Sequence, residues 1–126
     1  MARTRAQKTG DQGEQQALDH LERVGGHRCV ARNFSGQRGE VDLITLDGET
    51  LVFVEVRARN ATAHGRPEET VDWRKRARLL QAAQQFLARY PTHAQRRCRF
   101  DVVALTPEGL RWIPDAFRPD ETGFWS

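Results

Sequence analysis

Apolar residues recur along this chain in two helical stripes and five shorter runs. Ala17, Leu18, Leu21 and Val24 form one stripe, and Trp73, Ala77, Leu80, Ala83 and Leu87 form the other, both at three- and four-residue steps. The first predicts a helix from Asp11, which with Glu14 makes a capping-box-like pair, to about Val24, closed by Gly25-Gly26. The second predicts a helix capped by Asp72, running to about Tyr90 and stopped by Pro91. Residues 27–33, 40–46, 50–57, 99–105 and 110–113 read as strands, with turn residues at Ser35-Gly36-Gln37, Asp47-Gly48 and Pro107-Glu108-Gly109. Leu51-Val52-Phe53-Val54 is apolar on both faces of a strand, so that strand needs cover on both sides. The predicted fold is α/β, a mixed central sheet flanked by helices, in the order α-β-β-β-α-β-β.

A chain of 126 residues makes one domain. Residues 1–8 read as a flexible basic arm, 9–117 as the domain, and 118–126 as a C-terminal tail; Phe117, Phe124 and Trp125 are candidate anchors. The polar segment 58–67, with His64-Gly65-Arg66-Pro67, reads as a loop. No apolar run approaches the ~20 residues that span a bilayer, and the N-terminus has no apolar signal core, so a cytoplasmic protein without a membrane partner is expected. Cys29 and Cys98 are too few and too far apart for a zinc site or a disulfide framework and read as small buried residues in a reducing compartment. His20, His27, His64 and His93 form no metal-spaced pair, and no P-loop, dinucleotide fingerprint or Ser/His/Asp order is present.

A net charge of +3 says little about partners, but the cations cluster. Arg57 and Arg59 leave the third strand, Arg74, Lys75, Arg76 and Arg78 open the second helix, and Arg96, Arg97 and Arg99 precede the next strand. Such clusters suit backbone phosphates read without sequence; the competing reading is solvated surface charge. Trp73 offers a ring for base stacking, although packing against the sheet is the more ordinary use.

The chemistry centres on Glu55-Val56-Arg57. Alternation along a strand puts Glu55 and Arg57 on one face. With Asp47-Gly48 as a two-residue turn, Leu46 pairs with Glu49, Asp42 faces Phe53, and Glu40 faces Glu55. Asp42 then lies diagonal to Glu55, roughly 7–8 Å away, a separation across which two carboxylates can hold one divalent cation. Uncompensated, Glu40, Asp42 and Glu55 repel one another, and a hard cation such as Mg²⁺ or Mn²⁺ resolves the repulsion. The competing reading has Arg57 neutralise Glu55 with the face partly in solvent. Glu14 precedes Leu18 by four and Leu21 by seven, so it lies on the sheet-facing stripe and serves either the helix cap or the same site.

Gly13-Glu14, Arg32-Asn33, Arg38-Gly39-Glu40-Val41-Asp42-Leu43-Ile44, Leu51-Val52-Phe53-Val54-Glu55-Val56-Arg57, Lys75 and Arg99-Phe100-Asp101-Val102-Val103 together resemble the YraN family of bacterial proteins over residues 9–117. The resemblance implies the restriction-endonuclease-like, PD-(D/E)XK fold, similar to Holliday-junction resolvases and tRNA-splicing endonuclease domains. It puts Asp42 and Glu55 at the two catalytic acids, Arg57 at the lysine position, Val41 at the proline of the motif, and Glu14 at a first-helix acid that completes Mg²⁺ or Mn²⁺ binding. Arg59, Arg74, Lys75 and Arg78 are the expected nucleic-acid contacts and Glu40 an accessory acid. Arginine stays charged at any relevant pH, so Arg57 can clamp a phosphate but cannot take a proton. The implied function is a metal-dependent nuclease on structured or branched DNA, with a homodimer as in the resolvases. The alternatives are a non-catalytic nucleic-acid binder that retains the fold, and a scaffold for another protein.

Overall fold

A computed structural model describes residues 5–58 and 72–118, with side chains from residue 12 onward. Its elements are α1 (Arg5–Gly25), β1 (Arg28–Ser35), β2 (Glu40–Asp47), β3 (Thr50–Ala58), α2 (Trp73–Arg89), a 3-10 turn at Pro91–His93, β4 (Cys98–Thr106) and β5 (Gly109–Phe117). The order of helices and strands is the expected one. The five strands form one sheet in sequence order, antiparallel except where β3 and β4 run parallel with α2 as their crossover.

Alternate residues of β3 supply two separate cores. Leu51 and Phe53 pack with Ile44, Phe100, Phe117 and the α2 residues Leu79, Leu80, Ala83 and Phe86. Val52 and Val54 pack with Leu43, Val103 and the α1 residues Ala17, Leu18 and Leu21. The sheet is therefore covered on both faces, as the apolar run in β3 requires.

Several boundaries differ from expectation. α1 begins at Arg5, so Asp11 lies inside the helix rather than at its start, and part of the expected arm is helical; Ala6, Gln7 and Lys8 are good helix formers. α2 is capped as expected, Asp72 Oδ1 accepting from the Lys75 N–H at 3.0 Å. Its buried residues, however, start at Leu79, and Trp73 is 70% exposed rather than packed on the sheet. The first turn of α2 lies over the charged end of the sheet, where Lys75 meets Glu55, and a tryptophan there finds no apolar cover.

β5 continues past Ile113 to Phe117. Pro114 lies just past the expected strand end, but β5 is an edge strand, where a missing N–H is tolerated. The extension buries Phe117 against Phe100, ring centroids 5.1 Å apart. Both cysteines are free, but Cys29 is exposed and Cys98 only half-buried, against the expected burial. The tail beyond Arg118, His64 and, past Ala58, the expected loop at 58–67 lie outside the described residues. No described helix is long and apolar enough to cross a membrane.

Candidate active site

The β2–β3 hairpin turns at Gly48-Glu49, not Asp47-Gly48: Asp47 pairs with Thr50, and Ile44 with Phe53. Asp47 is drawn into the strand because Arg99 Nη1 donates to its Oδ2 at 3.0 Å, and Gly48 takes the turn's positive φ of 60°. The correction moves every partner by two, so Phe53 no longer faces Asp42 and Glu40 no longer faces Glu55; Glu40 pairs with Ser35 on β1 instead and is exposed. Continued one step beyond the last ladder pair, Leu43 with Val54, the observed register sets Asp42 opposite Glu55.

At that step the sheet forks. The β2–β3 ladder ends at Leu43 and Val54, while β2 stays paired to β1 as far as Glu40 and β3 stays paired to β4 as far as Ala58. Val41 and Ile44 share the α2-side core whereas Leu43 belongs to the α1-side core, so the strict in-out alternation breaks at Asp42. The Asp42 side chain fills the fork: its Oδ2 accepts the Val56 N–H at 2.8 Å. The chain thereby satisfies a backbone donor that the parted strands leave open.

Asp42 and Glu55 are hydrogen-bonded to each other through their carboxyl groups. Burial is the main cause that pushes Glu55 up, to about 7, with the Asp42 charge adding to it and Lys75 opposing. Asp42 is also raised, by burial first, against the Val56 N–H and the hydrogen bond to Glu55, which lower it. Two acids held in contact and both raised by burial mark a place where positive charge is favoured.

Two cations approach from different elements. Lys75 Nζ lies 3.3 Å from Glu55 Oε1, and Arg57 Nη1 lies 3.7 Å from the same oxygen. Lys75 was expected among phosphate contacts; instead it stands inside the acid site. A close approach of backbones brings it there. A Cβ on Gly39 would come 2.5 Å from the Arg78 carbonyl oxygen, so only glycine lets α2 settle onto the start of β2.

Glu14 comes from α1 and is 9% exposed, with Oε2 buried and unpartnered. Burial raises its pKa first and the Asp42 charge second, while a hydrogen bond from the Asn33 side chain and the charge of Arg32 lower it. Asn33 adopts a left-handed φ of 52°. The Arg32-Asn33 pair of the sequence pattern thus serves Glu14. Among the described residues, no three His, Cys, Asp or Glu side chains group closely enough to hold one ion between them. The expected triad is therefore a contacting pair, Asp42 and Glu55, with Glu14 near enough to sense Asp42 by charge.

The remaining expected contacts divide. Arg74 and Arg78 are exposed on α2, Arg74 lying over the Trp73 ring at 5.4 Å. Arg59 lies outside the described residues. In the third cluster Arg96 bonds the Glu49 carbonyl and His93, and Arg99 is held by Asp47 and Asp101, so these two serve the fold. Asp101 itself is 1% exposed and accepts from Arg99 Nε and Nη2, Trp112 Nε1 and the Asp115 N–H, all within 3.1 Å. The bonds from Trp112 and Asp115 fasten β4 to β5 and those from Arg99 fix that side chain, a structural role for the aspartate of the Arg99–Val103 motif.

A profile described as "Uncharacterised protein family UPF0102" matches residues 13–105, the span that holds Glu14, Asp42, Glu55, Arg57 and Lys75. A UPF0102 protein of Ectopseudomonas mendocina (strain ymp) is 50% identical over 111 residues, 86% of this chain and 92% of its own. One from Stutzerimonas stutzeri (strain A1501) is 48% identical over 116 residues, covering 89% and 96%. Another, from Xylella fastidiosa (strain M12), is 50% identical over 107 residues, covering 83% and 88%. Matches of this length and identity extend over both arms of the forked hairpin and both helices, and the chain belongs to UPF0102, the YraN family.

Proposed function

We propose that the protein is a metal-dependent phosphodiesterase acting on nucleic acid, with Asp42 and Glu55 as cation ligands. The observation that carries this reading is the hydrogen-bonded Asp42–Glu55 pair at the fork, one carboxyl buried and the other half-buried, both raised by burial and gathered where Lys75 and Arg57 also converge. The donor set suits a hard cation. It offers carboxylate oxygens only, and Mg²⁺ is ordinarily held by one or two carboxylates, with water and substrate oxygens completing its shell. A bound cation would supply charge neutralisation and Lewis acidity toward a phosphate.

The chain's own residues do the rest. Glu14 Oε2, buried without a partner, can accept a hydrogen bond from a water entering the site. Arg57 offers a planar fork to a phosphate oxygen pair. Arg74 and Arg78, exposed on α2, suit backbone phosphates, and Trp73, exposed beside them, offers a ring on which a base can stack. DNA with branched or flapped ends is the substrate this reading favours, from the resemblance to resolvases.

The test is cleavage of branched, flapped and single-stranded DNA and RNA with Mg²⁺ or Mn²⁺, by the wild type and by Asp42→Asn and Glu55→Gln. Metal-dependent cleavage lost in both variants supports the proposal. Retained binding with no cleavage of any substrate rejects it in favour of a binding protein, a reading that gains from Lys75 and Arg57 already standing against Glu55.

A further inference from the structure

Lys75 is the best-placed cation of the site, and it stands where a divalent ion would have to compete with it. Its Nζ is 3.3 Å from Glu55 Oε1, closer than Arg57, and its charge acts on Asp42 as well as on Glu55. A buried carboxylate, Glu55, in contact with a half-buried one, Asp42, can accept one ammonium, but an ammonium and a divalent ion on the same oxygens repel each other strongly in a poorly solvated site. The Lys75 side chain is 36% exposed and ends in a strongly hydrated charge on a flexible stem. Its backbone is fixed, since the N–H is held by the Asp72 cap and the helix it opens rests on Gly39. The stem can therefore swing while the helix stays.

Resting on the metal-dependent reading above, we infer that Lys75 is an internal stand-in cation: it holds the Asp42–Glu55 pair until a divalent ion enters and then turns outward to a substrate phosphate. The arrangement makes cation entry and phosphate binding one event. The displaced ammonium needs a new anion, and the incoming phosphodiester is the one that arrives with the ion. Lys75 is thus a positioning residue for the phosphate as well as a competitor of the metal.

The experiment uses the full chain and needs no turnover. Mn²⁺ affinity is measured by calorimetry for the wild type, Lys75→Met and Lys75→Arg, and the affinity for a short single-stranded or flapped oligonucleotide is measured in EDTA and in Ca²⁺. Lys75→Met should bind Mn²⁺ about 10-fold more tightly, as befits removal of a competitor worth one unit of charge. It should also lose the Ca²⁺-dependent gain in oligonucleotide affinity that the wild type shows. Lys75→Arg, which keeps the charge, should restore competition with Mn²⁺. Unchanged or weaker Mn²⁺ binding in Lys75→Met, with the folded state verified by its thermal transition, overturns the inference while leaving the metal site standing. No Mn²⁺ binding by the wild type removes the metal-dependent reading itself, and this inference with it.

Discussion

Gly39 lies so close to Arg78 that a Cβ added there would sit 2.5 Å from the carbonyl oxygen and 3.0 Å from the carbonyl carbon. Backbone cannot rotate away as a side-chain end can. This one contact sets how low α2 rides over β2, and hence whether Lys75 reaches Glu55. Gly39→Ala should therefore cost about 1–3 kcal/mol of stability, the usual range for overpacking, and weaken the Lys75–Glu55 pair. Gly36→Ala, whose added Cβ would meet mainly the Gln85 side chain, is the control. Urea midpoints for the two variants check the difference; equal losses would mean that Gly39 has no special place.

Arg57 shares Glu55 Oε1 with Lys75 but extends from the strand end with its own planar donor set. Arg57→Ala should lower oligonucleotide affinity roughly 10-fold, in line with one charge-assisted contact, and reduce the salt slope of binding by about one ion. Arg57→Lys should recover the slope but only part of the affinity. Filter binding across a range of KCl concentrations reads both; a slope unchanged in Arg57→Ala would take this residue out of phosphate contact.

Asp42 and Asp101 are both aspartates in conspicuous motifs, yet the structure gives them different work. Asp101 accepts four hydrogen bonds, two from Trp112 and Asp115 that tie β4 to β5 and two from Arg99. Its replacement by alanine takes from Arg99 its buried partner, leaving Asp47 to hold it, removes the acceptor of Trp112 and the Asp115 N–H, and should cost about 3–5 kcal/mol. Mn²⁺ affinity of the molecules that remain folded should be unaffected. Thermal denaturation combined with Mn²⁺ calorimetry separates the two roles, and a Mn²⁺ defect in folded Asp101→Ala would contradict the assignment.

Stability should depend on pH in a way set by the acid pair. Glu55 is raised from 4.5 to about 7 when folded, so between those values the native state holds more protons than the unfolded chain. Its contribution is full below about pH 4.5 and is lost as pH rises through about 7, a change of at most about 3 kcal/mol at 1.36 kcal/mol per pH unit. His27, lowered chiefly by burial, works the other way: its contribution is present above pH 6.5 and lost on acidification. Metal-free protein should therefore become less stable from pH 5 to 7.5, and Glu55→Gln should flatten that decline. Chemical denaturation at closely spaced pH values is the measurement; a Glu55→Gln profile parallel to the wild type would show that the pair is not the source.

Much of this arrangement was legible in the chain because it is local. Asp72 and Pro91 frame α2, the run from Leu51 to Val54 demands cover on both faces, and Glu14 on an apolar stripe announces an acid turned inward. What stayed hidden depends on contacts between distant segments. The hairpin register turns on Asp47, whose place in the strand is decided by Arg99 on β4. Lys75 looks like one more surface cation until α2 is laid over β2, and Trp73 looks like core until the charged end of the sheet is found beneath its turn. Edge position rescues Pro114 as a strand residue, a fact of sheet order that no window of sequence contains.

The parted strands at Leu43 and Val54 leave one amide, Val56 N–H, in the keeping of a side chain that also belongs to the acid pair. That amide is a gauge built into the site. While Asp42 Oδ2 holds it, its proton should exchange slowly with solvent; when the Asp42 carboxylate turns to another partner, the same proton is released. Deuterium uptake at Val56 thus reads occupancy of the site from the backbone, with no substrate, no product and no label other than solvent.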